Sequence, residues 1–208
     1  MKDLIEVELI LDLLKLEYPE AKCALDFETT FQLLVSVALS AQTTDESVNK
    51  ITPKLFEKYP DAVSLAEAKQ ENVEEIIRTI GLYKNKSRNI IEMSKMIVDV
   101  YQGMVPRPYK ELIKLKGVGR KTANVVLSVG FGEQRIAVDT HVFRVSNRIG
   151  LVDEKDVLST EKKLMEIIPV ERWSETHHSL IFHGRNSCTA RNPKCEECII
   201  RDYCKYND

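Results

Sequence analysis

No stretch of the chain stays apolar for the roughly 20 residues that a membrane-spanning helix needs, so a helical membrane protein is excluded. Internal repeats and low-complexity tracts are also missing, which rules out solenoids and long disordered tails. The first twenty residues, MKDLIEVELILDLLKLEYPE, interleave acids with apolar residues and so read as an amphipathic helix instead of a leader peptide. A cytoplasmic location is expected. Strand patterning is nearly absent: only residues 135–138 look extended, too short a run to found a sheet. Net charge is small too, at −2, which argues weakly against a nucleic-acid partner.

What is present is helical periodicity. At 208 residues the chain holds one large or two small domains. Amphipathic or buried helices are expected over residues 4–16, 31–39, 44–56, 73–80, 86–101, 120–129, 140–149, 159–168 and 174–183, with a short one opening at Asp61. On the 86–101 segment Ile90, Ile91, Met93, Met96, Ile97 and Val98 form the inner face. The fold class is all-α.

Charge is unevenly spread. Residues 107–148 carry nine Lys/Arg against three Asp/Glu, a surplus of +6, so the remainder carries −8. A basic segment on an acidic body is an electrostatic footprint for nucleic acid. Within it lies LIKLKGVGRKTANVVL, where Leu112, Leu115, Val118, Ala123, Val126 and Leu127 recur at helical spacing around Gly117 and Gly119. Two glycines one residue apart permit a turn that a Cβ disfavours. The N–H groups of the helix that follows suit a phosphate oxygen. A dinucleotide fingerprint is excluded because Thr122 replaces its third glycine and a helix precedes the turn. A P-loop is excluded because Arg120 separates Gly119 from Lys121.

Near the C-terminus Cys188, Cys195, Cys198 and Cys204 are spaced C-x6-C-x2-C-x5-C. Four close thiolates without a secretory signal favour a metal centre over disulfides. Tetrahedral zinc and an iron–sulfur cluster both match that spacing. Arg191 and Lys194 lie between the first two cysteines, so the centre shapes a basic loop. Cys23 stands apart and reads as a core thiol.

Several stretches together resemble the endonuclease III family of helix-hairpin-helix DNA glycosylases: LSAQTTD (39–45), TIGLYKNK (79–86), GVGRKTANVVL (117–127), AVDTHVFRVSNR (137–148), HHSLIFHGRNSC (177–188) and the cysteine tail. The resemblance covers essentially the whole chain. It implies a 4Fe–4S cluster on the four cysteines and a monomer bound to double-stranded DNA with damaged bases or abasic sites. It also implies two helical domains flanking a DNA-binding cleft. One is continuous, 21–132; the other joins 1–20 to 133–208 and carries the cluster. Such an enzyme would be nucleoid-associated. Two departures stand out: Lys116 where the family commonly has proline, and Ser179 where it commonly has tryptophan.

By the same resemblance Lys121 is the catalytic nucleophile and Asp139 its carboxylate partner. An amine attacks a sugar carbon only when neutral. An ordinary lysine, pKa about 10.4, is neutral in roughly one molecule per thousand near pH 7. Asp139 also precedes an apolar-periodic helix, where aspartate is a good N-cap. Gln42 and Leu82 are implied to fill the gap left by a flipped nucleotide, and Gly117, Gly119 and Arg144 to meet phosphates. His141, Arg144 and Arg148 share one helix face, suited either to orienting Asp139 and phosphates or to structural ion pairs. His177, His178 and His183 are expected in interhelical hydrogen bonds, not as metal ligands. The resulting expectation is a bifunctional glycosylase with lyase activity on oxidised pyrimidines. A dimer- or mismatch-specific relative, or a non-catalytic DNA-binding or redox-sensing module, are the alternatives.

Overall fold

The computed structural model describes residues 2–207, which form helices joined by turns with no strand among them. They separate into two compact units. One is Ala24–Gly132; the other joins the N-terminal segment through Cys23 to the chain from Glu133 onward.

The continuous unit contains α2 (Thr30–Leu39), α3 (Asp45–Lys58), α4 (Ala62–Ala66), α5 (Gln70–Ile77), α6 (Tyr83–Tyr101), α7 (Tyr109–Leu112) and α8 (Arg120–Val125). α2 is apolar on almost every face and buried accordingly; the Thr29 hydroxyl caps it by accepting from Gln32 N–H. Asp61 caps α4 in the same way, through Ser64 N–H at 2.8 Å. α4 and α5 pack on α6, the longest helix, through Ile90, Ile91, Met93 and Ile97; Met96 and Val98 are only half-buried. Several limits differ by one to three residues from those that periodicity implies, and two of them meet at one turn. α5 ends at Ile77 instead of residue 80, and α6 begins three residues before Lys86, because a left-handed Leu82 turns the chain there.

The discontinuous unit holds α1 (Leu4–Glu17), α9 (Thr140–Ile149), α10 (Val157–Ile167) and α11 (Trp173–Asn186). Asp3 and Glu6 close a capping box on α1. Val7, Ile10, Leu11 and Leu14 then bury their stripe in a core with Val142, Val145, Ile149, Leu164 and Leu180. Each such side chain contributes on the order of 1.5–3 kcal/mol. Arg172 adds a polar tie, pairing with Glu8 and Asp12 of α1 and Glu175 of α11. No helix among the described residues is long and apolar enough to cross a membrane.

Candidate functional site

The hairpin is built around one indispensable glycine, not two. Gly117 has φ +79°, in the left-handed region, and a Cβ there would meet the Asn89 Cβ at 3.2 Å. Gly119 caps α8 in ordinary extended backbone, φ −98° and ψ −177°, with open space where a Cβ would stand. The expected apolar positions Leu112, Leu115, Val118, Ala123, Val126 and Leu127 are all buried. The arm before the turn is short: α7 is a single turn, and Leu115 and Val118 are reached through successive turns. α8 buries Thr122, Ala123, Asn124 and Val125 while leaving Lys121 exposed in its first turn. First-turn N–H groups lack intrahelical acceptors, so the hairpin offers anion donors beside that amine.

After Val125 the helix widens into a π-helical turn, Val126–Gly130, where an unbroken α-helix to residue 129 was expected. Gly130 lies against α2: a Cβ would come within 3.0 Å of Thr30 Cγ2 and 3.1 Å of Leu33 Cδ2.

In the other unit residues 133–139 run extended, with Ile136, Ala137 and Val138 buried, and their start is held to α11 by Ser174. This delivers Asp139 to the N-cap of α9. Its Oδ1 accepts from His141 N–H and Val142 N–H, both at 2.8 Å. Oδ2 takes no part in the cap, so the half-buried side chain keeps one carboxylate oxygen for other work.

Gln42 and Leu82 are exposed and left-handed, with φ +55° and +59°. Neither is glycine, and such backbone costs on the order of 1–3 kcal/mol unless the surroundings impose it. Leu82 also holds a large apolar side chain 58% exposed, uncommon for a residue that the core does not use.

The four tail cysteines line one small pocket that opens to solvent, together with His183, Ser187, Lys194 and Tyr206. None of the four is in a disulfide. Among the described residues no three His, Cys, Asp or Glu side chains converge as a single ion would require. Four thiols around a shared cavity, not around a point, fit a multi-atom cluster better than zinc. Burial pushes the Cys198 and Cys204 thiols above the ordinary range, so loading would displace protons from them. Arg191 and Lys194 are exposed on the same loop.

α9 secures that loop. Arg144 donates to the carbonyls of Gly184 (2.8 Å) and Cys188 (3.0 Å) through Nη2; Arg148 donates to those of Thr189 (2.7 Å) and Ala190 (3.0 Å). Among the described residues these two arginines bond backbone carbonyls in place of the ion pairs considered for this face. His183 bridges Tyr18, the residue that caps the end of α1, and the Cys198 sulfur, and burial lowers its pKa to about 4. His178 instead bonds within its own helix, to the Ser174 carbonyl at 2.8 Å. Sequence reasoning missed Lys86. It sits inside a quoted motif, but nothing in its neighbours announces that it is buried.

Residues 35–170 match the family model of the HhH-GPD superfamily base excision DNA repair proteins, and residues 188–204 that of the iron–sulfur binding domain of endonuclease III. Endonuclease III of Bacillus subtilis is 50% identical over 206 residues, covering 99% of this chain and 94% of its own length. This chain belongs to the endonuclease III family. The Escherichia coli K12 relative is 45% identical over 199 residues, covering 96% and 94%. Among solved structures, a trapped covalent intermediate of endonuclease III with DNA is 48% identical with a TM-score of 0.95, covering 100% of this chain and 98% of that one. A thermostable thymine-DNA glycosylase, 23% identical with a TM-score of 0.88, shares the fold. Membership in the endonuclease III family brings a 4Fe–4S cluster with it, in agreement with the donor set and cavity described above.

Proposed function

We propose that this chain is a bifunctional DNA glycosylase with abasic-site lyase activity, excising damaged pyrimidines from double-stranded DNA as a monomer. One observation carries the reading. An exposed amine, Lys121, stands in the first turn of the hairpin's second helix, in a family whose member has been trapped covalently on DNA.

The chemistry follows from the residues. The neutral Lys121 amine attacks C1′ of the deoxyribose while the bond from C1′ to the base breaks and the base leaves with a proton. Ring opening gives an imine between Nζ and C1′. Loss of a C2′ proton then expels the 3′ phosphate by β-elimination, and water hydrolyses the imine to free the lysine. Asp139 keeps Oδ2 to stabilise the positive charge that develops on the sugar and to accept a proton during the reaction. Gln42 and Leu82 fill the space of the extruded nucleotide, a polar amide and an apolar wedge. Backbone N–H groups at Gly117 and Gly119, with Arg191 and Lys194, hold phosphates. Cys188, Cys195, Cys198 and Cys204 would hold the cluster, which when bound cross-links the loop bearing those two cations. Such an enzyme works in the cytoplasm, on the nucleoid.

Borohydride reduction on abasic duplex DNA tests the assignment. Wild type is expected to give a covalent adduct and Lys121→Gln none. An adduct that survives the substitution removes Lys121 from the role. A wild type without adduct returns the chain to the class of non-catalytic DNA-binding modules. A panel of oxidised, mismatched and dimer-containing duplexes then fixes the lesion.

A further inference from the structure

Lys86 is an odd residue to bury. It lies on α6 at 7% exposure, and its ammonium has a single polar partner among the described residues, the Thr43 hydroxyl at 2.6 Å. No carboxylate pairs with it. Removing an ammonium from water against one neutral acceptor is unfavourable, and an apolar side chain of that shape would serve the core better. Burial lowers its pKa, as this argument requires. Fold stability therefore does not account for Lys86, and its position does.

Thr43 directly follows Gln42, in the turn between α2 and α3. Its own N–H bonds the Ser40 carbonyl at 3.0 Å, so the hydroxyl sits at the base of a compact turn. At the other end, the Leu82 carbonyl accepts from the N–H groups of Asn85 and Lys86, each at 3.0 Å, so Lys86 closes the first turn after that left-handed residue. One residue thus reaches two of the four positions where an exposed non-glycine residue is left-handed, Gln42 and Leu82. We propose that Lys86 is a positioning residue: its ammonium ties the start of α6, directly after the Leu82 turn, to the Gln42 turn and so holds the two in the gap-filling conformation before DNA binds. This rests on the reading of Gln42 and Leu82 as gap fillers. Presetting both turns removes the ordering that insertion would otherwise demand.

The test uses the iron-loaded full chain. Lys86→Met keeps the shape and deletes the charge; Thr43→Val keeps the lysine and deletes its acceptor. Three quantities are measured: fluorescence of 2-aminopurine opposite a duplex abasic-site analogue, single-turnover base excision from duplex, and β-elimination on single-stranded abasic DNA, which has no partner strand to part from. Each variant is expected to lose on the order of tenfold in duplex displacement and excision, the scale of one strained backbone residue released. Single-stranded β-elimination stays within about twofold, the double variant is no worse than either single, and the melting temperature of Lys86→Met does not fall. Unchanged duplex activity in both variants overturns the inference, as does an equal loss on single-stranded DNA, which marks a general structural role. If Lys86→Met fails to fold, Thr43→Val alone decides. Gln42→Ala and Leu82→Ala separate the two layers: if they leave duplex displacement intact, the gap-filling reading fails; if they abolish it while Lys86→Met does not, only the present inference does.

Discussion

The Arg144 guanidinium holds the carbonyl of Cys188 at 3.0 Å, so one cation of the basic 107–148 segment is turned toward a cysteine loop. Arg144→Gln is therefore expected to lower the iron content of purified protein and its visible absorbance. It should leave the salt dependence of DNA affinity nearly unchanged. A lost phosphate contact would instead reduce the slope of log K against log salt by about one. Arg191→Ala and Lys194→Ala are expected to show that slope change.

Asp139 caps α9, and the proposed chemistry gives it a second task that one substitution can part from the first. Asparagine caps a helix about as well as aspartate, so Asp139→Asn should keep the melting temperature close to wild type. Lacking the charge, it should lose about 10²-fold or more in single-turnover excision. Asp139→Ala should lose that activity and about 1 kcal/mol of stability as well, read from urea unfolding. A fully active Asp139→Asn enzyme would leave this residue as a cap alone.

The two hairpin glycines should respond differently. Gly117→Ala forces a Cβ into left-handed backbone against Asn89, and about 1–2 kcal/mol of destabilisation is expected. Gly119→Ala introduces no such conflict and should unfold within about 0.5 kcal/mol of wild type. Equal losses would contradict the extended geometry found at residue 119.

Low pH should weaken the discontinuous unit through half-buried His178 and buried His183. Burial lowers the pKa of His178, so the folded chain refuses a proton that the unfolded chain accepts near pH 6.5. Stability from this source is complete above that pH and declines as pH falls through it. His183 acts with the same sign, its loss running from about 6.5 down to about 4. His178→Gln avoids the Cys198 contact and is the cleaner probe. Its unfolding midpoint should vary less between pH 7 and 5 than that of wild type.

Much of this was legible because periodicity and chemistry agree. The apolar stripe of α1, the continuous burial of α2 and the spacing around Gly117 each follow from side chains whose preferences leave little choice. The cysteines stand out by type and spacing, whereas Lys121 is named by resemblance to the family's hairpin. What escaped depends on distant neighbours. VLSVG reads as plain helix, and its π-helical turn reflects how closely Gly130 lies against Thr30 and Leu33 of α2. Nothing local marks Gln42 or Leu82 as left-handed, and the donors of Arg144 could not be assigned before α11 was placed beside α9.

The α1 stripe has a consequence during synthesis. Val7, Ile10, Leu11 and Leu14 find their core partners only among residues from 136 onward. A ribosome adding about 5–20 residues per second takes several seconds to reach them. Residues 24–132 are complete well before that, so the middle of this chain has the means to fold while its first helix still waits, greasy side bare, for the last third to emerge.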